Sequence, residues 1–278
     1  MSNTLYITDL DGTLLDDTGH VSARSAEIIS RLSRQGVLIS VATARTPATV
    51  VELLRDTYTT ADLVVMTGAG IWDRPGHRFR SLALIPEEQV RRMMQVFHKR
   101  DLHPFCYTLS DNSHLDVYRT PHPLTASEAL FIDQRRGLAL KTFHLDTPCP
   151  DEAASRVVLF FGMGSRDTIV SVAEELRDIT DCYVSYYKDT YTDDLWLLEI
   201  FAHGVSKANG IRHLRDMVKA DRLVVFGDNL NDIPMMREAD VAVAVENALP
   251  EVKAIADVVI GPNTADAVAL FIEEDSRQ

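Results

Sequence analysis

The chain has 278 residues, of which 28 are Lys or Arg and 41 are Asp or Glu, so its formal charge is −13. Apolar residues make up 46% and charged residues 25% of it, which excludes a disordered chain, a collagen-like fibre and a short disulfide scaffold. The length predicts one large or two modest domains. A pI near 5.1 argues against general nucleic-acid binding, which relies on basic patches.

The cysteines and the apolar runs bear on the compartment. Cys106, Cys149 and Cys182 are far apart and form no C-x-x-C pair, so we expect free thiols in a reducing environment. The N-terminal residues lack the basic start and apolar stretch of a secretion signal. The longest apolar runs, such as Val157–Phe161, are far shorter than the ~20 residues that span a bilayer. We therefore expect a cytoplasmic protein with no membrane partner.

The N-terminal part alternates short apolar strands with amphipathic helices. The predicted strands are 5–8, 37–42 and 63–66, and the predicted helices are 22–34 and a segment that begins at Thr46 and Pro47. Ala26, Ile29 and Leu32 follow the spacing of one helical face. This βαβαβ order predicts a parallel sheet covered by helices.

The C-terminal part resumes this alternation after a less regular middle segment. The predicted C-terminal elements are helices at 207–217, 250–255 and 265–272 and strands at 223–226, 241–245 and 258–260. In the middle, helices are predicted at 87–99 and 167–178 and strands at 105–108, 157–161, 183–187 and 195–201, with a Pro/His-rich break at 120–124. We predict a doubly wound, Rossmann-like α/β core from residues 1–83 and 201–278, with an inserted α+β domain at 84–200.

The first motif with chemical meaning contains Asp9, Asp11, Gly12 and Thr13, directly after the first predicted strand. Ligands of open α/β sheets bind beyond the carboxyl ends of the strands, so this loop is well placed. Two carboxylates so close together repel each other unless a cation lies between them, and Mg²⁺ takes carboxylates together with phosphate oxygens. The alternative is an acidic turn, since Asp and Gly favour turns.

A second acidic loop, Gly227–Asp232, follows the predicted strand 223–226 and contains Asp228, Asn231 and Asp232. Two acidic loops at one edge of a sheet, far apart in sequence, predict a divalent-metal site that folding assembles. Asp232 has an alternative interpretation as the N-cap of the following helix, which is less convincing for Asp228.

Two further polar residues are candidates for binding phosphate. Thr43 follows the second predicted strand, where its hydroxyl could hydrogen-bond a phosphate oxygen or cap the next turn. Lys207 stands at a predicted helix start, where acidic residues are usual, so a lysine aimed at phosphate would explain it. A solvated lysine is the alternative there, and Arg45 is equally compatible with a surface position.

These four segments, in this order, resemble the motifs of the haloacid dehalogenase superfamily, and within it the Cof-type phosphatases with a large, type IIB cap. The motifs lie in both halves of the predicted core. The insertion falls between the second and third motifs, where that subgroup carries its cap. The cap is identified by its place and size.

The resemblance implies a role for each residue. Asp9 would be the nucleophile that forms an aspartyl-phosphate, and Asp11 would protonate the leaving group and then activate water. Thr43 and Lys207 would bind the transferring phosphoryl group. Mg²⁺ would be held by Asp9, the Asp11 backbone carbonyl and Asp228. The supporting shell would comprise Asn231 and Asp232.

Two departures from the family pattern bear on substrate specificity. Ala44 stands where the family often has Gly, and Thr67 stands where it often has Asn. In the cap, four polar residues could face a substrate or belong to ordinary amphipathic strands: Tyr186, Tyr187, Lys188 and Tyr191. Trp72 and Trp196 are interpreted as packing residues.

We therefore predict a Mg²⁺-dependent phosphatase of small phosphorylated metabolites, either sugar phosphates or similar monoesters, with no nucleic-acid partner. A phosphomutase or phosphotransferase of the same superfamily is an alternative. A dehalogenase is disfavoured, because Asp11 supplies the acid/base carboxylate that dehalogenases lack. A non-enzymatic phosphoacceptor or sensing module is a further alternative, although response-regulator receivers are shorter and carry no cap.

Overall fold

The computed structural model describes residues 3–111, 113–189 and 192–277, so Tyr191 lies outside the described residues. Its strands are β1 (Thr4–Thr8), β2 (Leu38–Val41), β3 (Leu63–Val65), β4 (Gly70–Asp73), β5 (Arg78–Leu82), β6 (Phe105–Leu109), β7 (Leu115–Tyr118), β8 (Lys141–His144), β9 (Val157–Gly164), β10 (Tyr183–Lys188), β11 (Trp196–Phe201), β12 (Arg222–Gly227), β13 (Val241–Ala244) and β14 (Val258–Val259). Its α-helices are α1 (Ala23–Arg34), α2 (Pro47–Leu53), α3 (Glu87–Lys99), α4 (Ala126–Asp133), α5 (Arg166–Ile179), α6 (Lys207–Val218), α7 (Ile233–Met236), α8 (Pro250–Lys253) and α9 (Ala267–Asp275).

The chain divides into two compact units. Residues 1–81 and 206–278 form the core unit, and residues 82–205 form the inserted cap unit. The second junction lies five residues beyond the predicted one, because β11 continues to Phe201 as part of the cap sheet and a turn follows it. In that turn the Val205 N–H donates to the Ala202 carbonyl.

The core unit is built on a parallel sheet. Its strand order is β14-β13-β12-β1-β2, and every pairing in it is parallel. A parallel bridge between Ala42 and Val64 joins its edge to β3, which begins a second sheet of order β3-β4-β5. The inner strands β1 and β12 are buried at every position after their first residue, as expected where helices cover both faces. The predicted α/β core is therefore confirmed.

The cap unit is an α+β domain with helices on both faces of one sheet. The strand order is β10-β11-β9-β6-β7-β8, antiparallel except for the β7–β8 pair. Phe97 of α3 packs edge-on against Phe160, with ring centroids 5.1 Å apart. Phe131 of α4 packs against Phe105 and Phe161, which are register partners on the opposite face. This arrangement confirms the predicted inserted domain.

Aromatic residues of both units serve in packing. Trp72 is fully buried in the core unit, as predicted. In the cap, the Trp196 ring lies 6.1 Å from the Tyr186 ring, and the Arg177 guanidinium lies 5.0 Å from the Tyr186 centroid. Tyr186 is therefore part of an aromatic and cationic cluster.

Cys106, Cys149 and Cys182 are free thiols. Across residues 3–111, 113–189 and 192–277, no helix is long and apolar enough to cross a membrane.

Candidate active site

The predicted site residues follow three neighbouring strands of the parallel sheet. Thr8 of β1 is the register partner of Phe226 in β12 and of Val41 in β2. The loops that begin just beyond these partners carry Asp9, Thr43 and Asp228. The carboxyl ends of parallel strands meet at one edge, so three segments distant in sequence converge there.

Lys207 joins the two acidic loops. It is the first residue of α6 and is 4% exposed. Its ammonium donates to Asp9 Oδ1 at 2.6 Å and to Asp232 Oδ1 at 2.8 Å. The sequence-based alternative of a solvated surface lysine is therefore wrong.

The start of α6 is held close to the loop that follows β3. Gly68 has φ +93°, and a Cβ there would lie 2.1 Å from the Ser206 carbonyl oxygen. A Cβ on Gly210 would lie 2.5 Å from Val64 Cγ1. Two glycines thus permit the close approach that brings Lys207 to the edge of the sheet.

Burial and charge oppose each other at the Asp9–Lys207 pair. Burial raises the pKa of Asp9 to about 7, although the Lys207 charge acts to lower it and the Asp232 charge adds to the rise. Burial alone would lower the pKa of Lys207, but the Asp9 and Asp232 carboxylates outweigh it and raise that pKa. We therefore assign the charged form to the ammonium, with two buried carboxylates sharing its charge.

Asp228 is the third carboxylate of the site, and unlike Asp9 and Asp232 it is partly exposed. Burial raises its pKa to about 6, and the hydrogen bond from the Thr13 hydroxyl, 2.7 Å from Oδ1, acts in the other direction. Gly12 has φ +78°, and a Cβ there would lie 2.5 Å from Asp228 Oδ2. Glycine at position 12 therefore lets the first acidic loop approach this carboxylate.

Asp232 positions other groups of the site. It is fully buried, and its Oδ1 accepts from Lys207. Its Oδ2 accepts from the backbone N–H groups of Asp228 and Asn229, each at 3.1 Å. Both oxygens are thus engaged with the lysine and the acidic loop. Asn231, its neighbour in the same turn, is exposed.

Thr43 is buried in the loop that follows β2. Its hydroxyl oxygen accepts the backbone N–H of Arg45 at 3.2 Å, the local turn contact that the sequence offered as an alternative. Its backbone carbonyl accepts the N–H of Thr67 at 3.0 Å, which ties this loop to the loop after β3. A role in binding phosphate stays a prediction.

Arg45 is a residue whose role the sequence left undecided. Its Nε donates to Asp11 Oδ2 at 2.8 Å and its Nη2 donates to Asp11 Oδ1 at 2.6 Å, a bidentate pair. The Asp11 side chain is 55% exposed, in contrast to the buried Asp9. The only signal in the sequence was the position of Arg45 two residues beyond Thr43.

Asn247 is a second residue that the motifs did not reveal. Its Nδ2 donates to the Gly12 carbonyl at 2.7 Å, and its Oδ1 accepts from the Asn263 N–H at 3.0 Å. Asn263 in turn donates to the Leu15 carbonyl. The side-chain amides of Asn247 and Asn263, in the C-terminal part of the chain, thus bind the backbone of the first acidic loop and fix its position.

The donor set of the site fits a hard divalent cation. Ligating oxygens of Asp9, Asp228 and Asp232 lie within 4.8 Å of one another. Among the described residues, no hydrogen bond reaches Oδ2 of Asp9 or Oδ2 of Asp228, so each of these two carboxylates keeps one oxygen available. A cation beside them would reverse the rise in pKa that burial causes.

Asp9 paired with Lys207, the two aspartates of the second acidic loop, and Asp11 two residues after Asp9 together form a site suited to phosphoryl transfer at the edge of an α/β sheet. The chain belongs to the haloacid dehalogenase-like hydrolase family, whose sequence model matches residues 6–272. It is a phosphoric monoester hydrolase of the Cof type.

Known proteins resemble this chain along its whole length. A 5-amino-6-(5-phospho-D-ribitylamino)uracil phosphatase of Bacillus subtilis is 25% identical, with 96% of this chain and 94% of the relative covered. A pyridoxal phosphate phosphatase of Escherichia coli is 23% identical, with 98% of each chain covered. A solved structure described as a haloacid dehalogenase subclass IIB sugar phosphatase has a TM-score of 0.70 at 21% identity, with 98% of this chain and 99% of the other covered. The fold, including a type IIB cap, is thus shared.

Proposed function

We propose that this protein is a Mg²⁺-dependent phosphatase that hydrolyses small phosphorylated metabolites through an aspartyl-phosphate. The observation that carries the proposal is the buried Asp9 carboxylate, with one oxygen bonded to Lys207 and the other left available at the edge of the sheet. A nucleophile needs such an oxygen, and the ammonium offsets the charge that gathers there.

Each residue has a defined part in the two chemical steps. Asp9 attacks phosphorus and the bond to the leaving oxygen breaks, while Asp11 gives that oxygen a proton. Asp11 then takes a proton from the water that attacks the phosphoryl group, which returns the Asp9 carboxylate and releases phosphate. Lys207 and the Thr43 hydroxyl bind phosphoryl oxygens during both steps.

The metal role falls to the residues whose oxygens remain available. Asp9 and Asp228 would hold Mg²⁺ with the Asp11 backbone carbonyl, and the ion would neutralise charge on the phosphoryl oxygens. The bidentate contact from Arg45 orients the Asp11 carboxylate. Asp232 holds Lys207 and the Asp228 backbone in place, so its part is to position both.

The substrate class follows from the family and its relatives. The relatives are named for a phosphorylated ribityl compound and for pyridoxal phosphate, and the solved structure is described as a sugar phosphatase. All are small phosphate monoesters. We therefore propose sugar phosphates and similar monoesters as substrates. The products are the free alcohol and phosphate.

The test is phosphate release from a panel of sugar phosphates, polyol phosphates and pyridoxal phosphate, with Mg²⁺ and with EDTA. Asp9→Asn keeps the side-chain volume and removes the nucleophile, so we expect turnover to fall by ~10³-fold, or about 4 kcal/mol of barrier. Asp17→Asn, an exposed aspartate of the same loop, is the matched control and should retain turnover.

Three results would contradict the proposal. Turnover of Asp9→Asn within tenfold of wild type would remove Asp9 as nucleophile. Equal rates of phosphate release in Mg²⁺ and in EDTA would contradict the proposed dependence on Mg²⁺. Stable phosphorylation of Asp9 without phosphate release, or transfer to a second sugar, would indicate a sensing module or a mutase.

A further inference from the structure

A second group of metal-ligating side chains lies in the cap unit. It consists of Asp101, His103 and His122, and their ligating atoms all lie within 4.8 Å of one another. Asp101 and His122 are exposed and His103 is partly exposed, so an ion from solvent can reach the group. The group belongs to a different compact unit from the acidic loops of the active site.

The three side chains come from two segments that are far apart in sequence. Asp101 and His103 follow the end of α3, and the His103 Nε2 lies 3.1 Å from Asp101 Oδ1. His122 belongs to the loop between β7 and α4. Its ring is stacked on the His103 ring, with centroids 4.0 Å apart and planes 13° apart. Folding therefore brings two imidazoles and one carboxylate together.

The backbone that carries His122 is firmly held. Its carbonyl accepts from Arg119 Nη1 at 2.8 Å, and Arg119 is buried and ion-paired with the buried Glu128. Pro121 and Pro123 flank His122 and restrict φ on either side of it. The backbone of His122 is thus anchored, and the stacked His103 and His122 rings have to turn before one ion can lie in both ring planes.

The ligand chemistry of this group differs from that of the active site. Two imidazole nitrogens with one carboxylate oxygen suit borderline ions such as Zn²⁺, whereas Mg²⁺ selects oxygen ligands alone. Zn²⁺ commonly takes three protein ligands and one water. We propose that Asp101, His103 and His122 bind Zn²⁺ in the cap, with water as the fourth ligand.

The cap contains a natural comparison group of the same composition. His144 Nε2 lies 2.8 Å from Asp116 Oδ1, but His114 Nε2 lies 3.9 Å from that oxygen and 2.9 Å from Thr142 Oγ1. Within the described part of the chain, this second group does not bring three ligating atoms within 4.8 Å. His144 is therefore the matched control.

The experiment is calorimetric titration of Zn²⁺ into the untagged full chain, in Mg²⁺ sufficient to saturate the active site. We expect one Zn²⁺ per chain, with imidazole ligands visible by X-ray absorption. His103→Ala and His122→Ala should each weaken Zn²⁺ binding at least tenfold, and His144→Ala should bind as wild type does. Because the substituted side chains are at least partly exposed, circular dichroism should show each variant folded without metal.

Three results of the Zn²⁺ titrations would contradict the proposed site in the cap. Zn²⁺ binding that is unchanged in both His103→Ala and His122→Ala, or that is equally weakened in His144→Ala, would remove it. So would the absence of any bound Zn²⁺ in Mg²⁺-saturated wild type. The test is independent of the phosphatase proposal, because Mg²⁺-dependent phosphate release should persist in all three histidine variants.

Discussion

Gly12 lies in the first acidic loop, directly against the Asp228 carboxylate of the second, and its lack of a side chain is a structural requirement. A Cβ would meet Asp228 Oδ2 at 2.5 Å, and φ +78° is a conformation that other residues adopt at a cost. Gly19, seven residues further along, has almost the same φ of +76°, but a Cβ there would meet none of the described residues within 4 Å. Substitution of either glycine therefore carries the cost of the positive φ, and only substitution of Gly12 adds a steric conflict.

Gly12→Ala should cost more stability than Gly19→Ala and should impair metal binding. Both variants carry the φ cost of about 1 kcal/mol, and only Gly12→Ala displaces the Asp228 carboxylate. We expect at least about 1 kcal/mol of additional destabilisation by urea unfolding and a higher Mg²⁺ requirement for turnover. Equal losses in the two variants would show that the contact with Asp228 is unimportant.

Single-residue roles were predictable only where a motif marks them. The positions of Asp9, Asp228 and Lys207 at one edge followed from strand order and from the family resemblance. The pairing of Asp11 with Arg45 did not, since an arginine near a turn is usually a surface residue. The contacts of Asp232 could not be predicted either, because one of them is to a lysine 25 residues earlier in the chain.

At the scale of elements, α4 is fixed to the cap sheet by a buried ion pair. Arg119, just beyond β7, is 1% exposed and donates to Glu128 at 2.8 Å. Glu128 lies in the first turn of α4 and also accepts the Thr125 N–H at 2.8 Å, so it completes a capping box. The Glu128 carboxylate thus connects the start of α4 to the residue that follows β7 of the cap sheet.

Glu128→Ala should destabilise the protein strongly, because it leaves the Arg119 charge buried and unpaired. We expect a loss of about 3–5 kcal/mol in the free energy of unfolding, measured in urea. The control is Glu87→Ala, which breaks an exposed pair with Arg91 in α3 and should cost less than about 1 kcal/mol. A Glu128→Ala loss as small as the control's would mean that the buried arginine finds other partners.

Element prediction succeeded where apolar periodicity was strong and failed where it was weak. Helix α3 occupies the predicted residues 87–99, and β1, β2 and β12 lie within a residue or two of their predicted bounds. The sequence did not reveal α4, whose apolar residues follow no single face, since Leu130 is 58% exposed and Ile132 is buried. Strand β5 was missed because its residues are mostly polar and exposed. Such elements depend on tertiary contacts.

At the scale of the whole molecule, the core unit depends on contacts between chain ends that the cap sequence separates. Thr4 of β1 is the register partner of Arg222 in β12. The last helix, α9, adds Asp275, whose Oδ2 accepts the Tyr6 hydroxyl at 2.7 Å and whose Oδ1 lies 3.1 Å from Arg222 Nη2. The sequence predicted that the two halves form one sheet, but the side chains that join them could not be paired from spacing alone.

Asp275 makes this junction sensitive to acid. Burial raises its pKa, but the hydrogen bonds from Arg222 and Tyr6 outweigh burial and lower the pKa below the ordinary aspartate value. A carboxylate whose pKa is lower in the folded state stabilises the fold above its unfolded pKa near 4, and this contribution is lost as pH falls through the folded pKa. Arg222 is partly exposed, so solvent screening keeps the contribution at about 1 kcal/mol or less.

Asp275→Asn should therefore be less stable than wild type at pH 7 and at pH 5, by a similar amount. The gap should narrow below about pH 4 and close once wild-type Asp275 is protonated, because both proteins then carry a neutral group at this position. Urea unfolding at pH 7, 5 and 3 measures the gap, and Asp17→Asn, an exposed aspartate, should show none at any pH. A difference in stability that stays constant down to pH 3 would mean that the Asp275 side chain joins the two halves of the core by the geometry of its hydrogen bonds and not by its charge.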